Sequence, residues 1–235
     1  MFWHKKTSVK DLLPPPVRVE HGEYSMILSA HDDRAKANTD LIDLSLKAIE
    51  SVRHIDLRDV SARLPKPPYF PDIWPGEHYK LLAGFMRALR PHLAIEIGTS
   101  TGISALSMRS QGVRLVTYDI RPWQSYPDTV LQDVDFTGDG LSQIVGDLGE
   151  LSFFQTQREL LMQADWIFID ATHDGLLEKK LLNLLATLPF PKAPFILFDD
   201  IRVWTMLRMW RDIEYPKLDL TSFGHWSGTG LIQLI

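Results

Sequence analysis

The stretch Leu93-Ala94-Ile95-Glu96-Ile97-Gly98-Thr99-Ser100-Thr101-Gly102 decides how this chain folds. Its first five residues are short, largely apolar and not alternating, as expected of a strand buried on both faces. Gly98 then permits a sharp backbone turn and the close approach of a ligand. A helical pattern follows over 102–110, so the stretch reads as one strand–turn–helix unit.

Working outward, the same unit recurs. Strands are expected over 114–119, 141–145, 165–170 and 194–199. Helices are expected over 77–90 and 150–163, on the stripe Leu177, Leu181, Leu184, Leu185 and Leu188, and from the residue after Asp200 to about 213. Residues 218–223 and 229–234 read as two further strands joined by a glycine-rich turn. Five strand–helix units and a terminal pair of strands imply an α/β protein with a doubly wound, mostly parallel sheet. Ligands of such sheets bind at the carboxyl ends of the strands, near the point where strand order reverses.

Residues 1–75 read differently from 76–235, which divides the chain into an N-terminal extension and an α/β domain. One helix is expected in the extension, capped by Asn38 or Thr39, with Leu41, Leu44, Ala48 and Val52 on one face. A shorter helical piece is expected over 55–64. The segment 65–75 holds five prolines and reads as a linker or an extended wrap. The extension is expected to cover the site or to pair subunits into a homo-oligomer.

Composition removes several classes of function. Of the 235 residues, 25 are Lys or Arg and 30 are Asp or Glu, a formal charge of −5. A chain of that balance lacks the basic face that nucleic acid requires, so no nucleic-acid partner is expected. There is no cysteine, hence no disulfide scaffold, no thiolate metal site and no cysteine nucleophile. No apolar run approaches the ~20 residues of a membrane span. The first residues lack the apolar core of a leader peptide, and a cytoplasmic protein is expected.

The candidate chemistry lies at the strand ends. The turn reads E-x-G-x-x-x-G; the dinucleotide pattern G-x-G-x-x-G and the phosphate-loop ending G-K-[ST] are both absent. A carboxylate inside an apolar strand costs several kcal/mol unless partnered, so Glu96 is expected to face a polar ligand or a donor network. Asp119 closes the second strand, where a carboxylate can accept both hydroxyls of a ribose or simply cap a turn. Asp147 follows the third strand on the same rim.

These three acids with the glycine turn resemble the class I S-adenosylmethionine-dependent methyltransferases over residues 77–235. The resemblance implies a Rossmann-like methyltransferase fold of seven strands, the last of them antiparallel. It implies S-adenosylmethionine as cofactor, with Gly98, Thr99 and Ser100 at the methionine part, Glu96 at its amino end, Asp119 at the ribose and Asp147 at the adenine.

A second constellation ends the next two strands: Asp170 with His173, then Asp199-Asp200. Neighbouring strands lie ~4.8 Å apart, so three carboxylates would gather in one small region. Their mutual repulsion asks for protons or a cation, and a carboxylate set with water suits Mg²⁺ or another divalent cation. A neutral His173 leaning over the same region could act as general base on a hydroxyl. The plainer reading makes Asp174 and the Asp199-Asp200 pair helix caps. The set Ile169-Asp170-Ala171-Thr172-His173 with Asp199-Asp200 resembles the metal-dependent O-methyltransferases of macrolide sugars and their cephalosporin-pathway relatives. That resemblance implies metal ligation by Asp170, Asp199 and Asp200, a catalytic role for Asp170 and His173, and a small-molecule hydroxyl as acceptor.

Among the other residues, Trp204, His225 and Trp226 are expected to line an acceptor pocket. Trp166 is expected in the core, and Trp210 in the core or a subunit interface. His4, His21, His31 and His54 are expected at the surface. Three other readings stay open at this point: a metal-independent methyltransferase, a cofactor-binding or hydroxylase-like relative on the same fold, and a nicotinamide reductase.

Overall fold

A computed structural model describes residues 35–64 and 77–235. His4, His21, His31 and the expected linker 65–75 lie outside the described residues, as does the side chain of Trp204. The elements are α1 (Thr39–Val52), α2 (Arg58–Ser61), α3 (His78–Leu89), β1 (Ala94–Ile97), α4 (Ile103–Arg109), β2 (Leu115–Asp119) and β3 (Leu141–Val145). They continue with α5 (Leu151–Leu161), β4 (Trp166–Ile169), α6 (Leu176–Leu185), β5 (Phe195–Asp199), α7 (Trp204–Asp212), β6 (Lys217–Asp219) and β7 (Thr229–Gln233).

One sheet of seven strands runs β3-β2-β1-β4-β5-β7-β6. Strands β1 to β5 pair in parallel, and β7 enters antiparallel between β5 and β6. This is the Rossmann-like methyltransferase fold. Strand order reverses between β1 and β4, and that is where the crevice opens.

The period-2 geometry of a strand sends alternate residues to opposite faces. Ala94, Trp166, Phe168 and Leu197 therefore enter one core with α1, α3 and α4, while Ile95, Ile97, Ile167, Ile169 and Phe198 enter the other with α5, α6 and α7. Trp166 is fully buried and packs on Phe85, ring centroids 4.8 Å apart; Trp210 is also buried. Burial on both sides is why the strands read as continuous apolar runs.

Helix α1 belongs to this body. Asn38 caps it, its Oδ1 accepting from the Leu41 N–H at 2.9 Å, while its Nδ2 donates to Gln233 on β7 at 2.7 Å. At Gly84 in α3 a Cβ would stand 2.6 Å from the Ala48 carbonyl oxygen, so the glycine lets the two helix backbones approach closely. Lys217 is buried and donates from Nζ to the carbonyls of Trp210, Arg211 and Ile213, satisfying the open end of α7.

Three expected boundaries shift. The helical piece expected over 55–64 is a single turn, Arg58–Ser61. The helix expected after Asp200 begins only at Trp204, because Asp200 is left-handed (φ +59°) and 201–203 form a turn closed by the Val203 N–H on the Asp200 carbonyl. The strand expected over 218–223 is Lys217–Asp219, since the Phe223 and Gly224 N–H groups turn back onto the Leu220 carbonyl. No helix among the described residues is long and apolar enough to cross a membrane.

Candidate active site

The carboxyl ends of β1 to β4 frame an open cleft of about 710 Å³, mouth included. Gly98, Ser100, Asp119, Asp147 and Asp170 all line it, beside an apolar wall that includes Ile120, Leu148 and Leu177. Among the described residues, three aspartates and no Lys, Arg or His face this space. Such a field favours a ligand carrying positive charge and opposes one carrying phosphates.

The aspartates are aimed by their own turns. Asp119 accepts from the Ser100 N–H at 2.9 Å, the Arg121 N–H at 3.0 Å and the Tyr126 hydroxyl at 2.8 Å. A carboxylate has about four acceptor sites, so about one remains for a ligand hydroxyl, and Tyr126 can yield another. Asp147 accepts from the Gly149 N–H at 2.7 Å, a local loop that turns its carboxyl along the rim.

Glu96 and Thr99 sit elsewhere, outside the lining of the cleft. Glu96 is fully buried on the α4 side of the sheet, where the Ser104 hydroxyl donates to Oε1 at 2.5 Å and Oε2 has no partner. Burial pushes its carboxyl up to about 8. The donor network expected for Glu96 is thus Ser104. Thr99 is also buried, its hydroxyl bonded to Thr117 at 2.7 Å and accepting from Gln143 at 3.0 Å. Gly98 adopts φ +107°, and a Cβ there would stand 1.8 Å from the Asp170 carbonyl oxygen. The glycine is demanded by the closing of β4 on β1 as well as by its place in the cleft.

On the other side of Asp170 the acids meet histidines. His173 is left-handed (φ +57°) and lies between two carboxylates, Nε2 2.7 Å from Asp170 Oδ1 and Nδ1 2.6 Å from Asp200 Oδ2. Hydrogen bonds to Asp170 and Asp200 raise its pKa to about 11, against the pull of burial. A carboxylate oxygen at each ring nitrogen favours the doubly protonated imidazolium, which must lose a proton before it can act as a base. Glu178, buried at the start of α6, holds the loop by accepting from the His173 and Gly175 N–H groups at 2.8 and 2.9 Å. Asp174 caps α6, accepting from Leu176 and Leu177.

Asp199 and Asp200 are adjacent but differ sharply. Asp199 is 6 % exposed, and its Oδ1 has no hydrogen-bond partner. Burial, then the neighbouring Asp170 and Asp200, push its carboxyl well above the usual range. Burial pushes Asp200 up too, but hydrogen bonds from His173, His225 and Ser227 hold it well below that range. Two imidazoles face the orphaned oxygen: His225 Nδ1 at 3.8 Å and His78 Nδ1 at 3.9 Å. His78 is buried at the first turn of α3, and burial lowers its pKa to about 4.

The loop 220–228 delivers His225 and Ser227. The Thr229 hydroxyl accepts from the His225 N–H, and the Ser227 carbonyl accepts from the Arg202 N–H. Ser227 Oγ bonds both Asp200 Oδ1 and His225 Nδ1. Trp226 is 64 % exposed, and His54 is at the surface. Sequence reading places His225 near the acceptor but gives no sign of His78, Ser227 or Tyr126. Only Glu178 leaves a local trace, as an acid in the first turn of a helix.

No protein-family model matches the chain, and no curated protein matches its sequence. Solved structures resemble it in fold. The SAH-bound methyltransferase PaMTH1 of Podospora anserina is 18% identical, with 81% of this chain and 87% of that chain covered and a TM-score of 0.51. A putative caffeoyl-CoA O-methyltransferase from Staphylococcus aureus is 17% identical, with 83% of this chain and 97% of that chain covered and a TM-score of 0.50.

Proposed function

We propose that this protein is an S-adenosylmethionine-dependent O-methyltransferase, assisted by a divalent cation and acting on a hydroxyl of a small molecule such as a sugar or other natural product. One observation carries the reading: Asp170 belongs both to the acid-lined cleft and to the cluster of acids and histidines beside it. A donor in the cleft and an acceptor at the cluster would therefore meet at one residue. The fold shared with SAH-bound PaMTH1 supports the same cofactor.

The cleft fits the donor. A sulfonium carries positive charge, which the three aspartates of the lining complement. Asp119, held by the Ser100 N–H, is set to accept from ribose hydroxyls, and the wall of Ile120 and Leu148 suits a flat adenine. The same field opposes a nicotinamide dinucleotide with its pyrophosphate.

The cluster fits a cation through the unpartnered, buried Asp199 Oδ1 and its neighbour Asp200. A divalent cation held there would lower the pKa of a coordinated hydroxyl and fix its direction. The chain's own part is to position: Asp170 borders both spaces, His173 bridges Asp170 and Asp200, and Glu178 fixes the backbone of His173. Holding donor and acceptor in line contributes several kcal/mol.

Calorimetric titration with S-adenosylhomocysteine tests the donor site; binding by the wild type and weaker binding by Asp119→Ala are expected. No heat of binding at millimolar ligand would end the proposal. A metal-free form of the same reaction has one observation in its favour: His173 lies between Asp170 and Asp200, where its protonated form would offset their charge. Turnover after exhaustive chelation separates the two readings.

A further inference from the structure

We propose that the cation centre is a mixed carboxylate–imidazole site built from Asp199, Asp200 and His225, and that it takes a transition ion of the Mn²⁺–Zn²⁺ series in preference to Mg²⁺. This rests on the methyltransferase reading above and departs from the all-aspartate, magnesium-type set that the sequence suggests.

Each of the three residues offers one donor atom, and these atoms all lie within 4.8 Å of one another. His225 Nδ1 is 3.4 Å from Asp200 Oδ1 and 3.8 Å from Asp199 Oδ1. Donor atoms bound to one ion at about 2.0–2.2 Å stand about 3–3.5 Å apart, so a small contraction brings the set into register. The independent sign of a missing ligand is Asp199 Oδ1, buried and without a hydrogen-bond partner. Ser227 Oγ satisfies Asp200 Oδ1 and His225 Nδ1, yet it leaves the Asp199 oxygen orphaned.

Asp170 is not among the residues whose donor atoms gather within 4.8 Å of one another. Replacing a third carboxylate by an imidazole changes the chemistry of the site. Imidazole suits the later first-row ions, whereas Mg²⁺ asks for oxygen ligands and gives up water reluctantly. His78, with Nδ1 3.9 Å from the same Asp199 oxygen, adds a second nitrogen at the edge of the site.

The test uses the full chain, with Co²⁺ and Mg²⁺ titrated separately by calorimetry and the Mn²⁺-loaded protein measured by pulsed EPR for nitrogen hyperfine coupling. Co²⁺ is expected to bind at least about 100-fold more tightly than Mg²⁺, with nitrogen coupling present in the Mn²⁺ spectrum. His225→Ala should weaken Co²⁺ about 30-fold, change Mg²⁺ by about threefold or less, and remove most of the coupling. His225→Gln serves as second variant, with S-adenosylhomocysteine binding to report an intact fold. Absent coupling in the wild type, coupling that survives in both variants, or equal weakening of the two ions overturns the proposal. So does failure of any ion to bind while S-adenosylhomocysteine still does, which leaves the donor reading standing. Failure of S-adenosylhomocysteine to bind the wild type sinks that reading instead, whatever the ions do.

Discussion

The two halves of the strand-end rim are built on opposite principles. At the ends of β2 and β3, Asp119 and Asp147 are held largely by backbone N–H groups within or beside their own turns. At the ends of β4 and β5, Asp199 and Asp200 are surrounded by side chains from distant parts of the chain, His78, His173, His225 and Ser227, and Asp170 meets His173 three residues on. Local holding makes a cradle that is ready whatever is bound. Distant holding leaves charges whose balance depends on their surroundings, and there a buried acid oxygen, Asp199 Oδ1, lacks a hydrogen-bond partner. Under the proposed function, the first half receives the donor and the second responds to what is bound.

The largest effect expected from this contrast is in catalysis. Asp199→Ala should lower turnover about 1,000-fold while leaving S-adenosylhomocysteine affinity within about threefold, as measured by steady-state kinetics beside calorimetry. A parallel loss of donor affinity would break the division between the halves.

The next effect is on stability and lies beneath the cradle. The folded-state pKa of Glu96 is raised from 4.5 to about 8. Between those values the folded chain binds more protons than the unfolded one, so stability falls as pH rises through that window. Glu96→Gln removes this contribution. Denaturant melts should show the variant gaining on the wild type from pH 5 to pH 8 by a few kcal/mol at most, and no relative gain would mean that Glu96 stays ionised in the fold.

Asp119→Ala should weaken S-adenosylhomocysteine about 10- to 100-fold, the worth of one or two hydrogen bonds to a charged group, with ion affinity unchanged. If ion binding moved as well, the halves would be coupled. The smallest effect sharpens the contrast by leaving both halves alone. Lys217→Met removes three donor contacts at the end of α7. It should cost about 1–2 kcal/mol, a drop in Tm of a few degrees, with both affinities intact.

Legibility in the sequence followed the same division. The strands were readable because burial on both faces leaves unbroken apolar runs, and Asp119, Asp147, Asp170 and the Asp199-Asp200 pair were readable because a strand end announces itself. The cradle could be read further, since Asp147 and Gly149 lie two residues apart. The responsive half could not. His78 reaches Asp199 only because α3 starts over the ends of β4 and β5, and helical spacing says nothing about which end of a helix overhangs a rim. Glu96 was legible as an anomaly, but its partner Ser104 lies on α4, one turn of chain beyond the glycines. The late start of α7 depends on a left-handed Asp200, which a side chain does not advertise.

The reversed direction of β7 has a consequence for assembly. Its first residue, Thr229, pairs with Asp199, the last residue of β5. Every parallel strand brings the residues that follow it to the rim; this one brings the residues that precede it. An imidazole and a hydroxyl therefore reach the acids only when β7 has threaded between its neighbours. A folding intermediate with β1 to β5 in place would hold the aspartates without His225 and Ser227, and completion of the cluster becomes a report on the closure of the sheet.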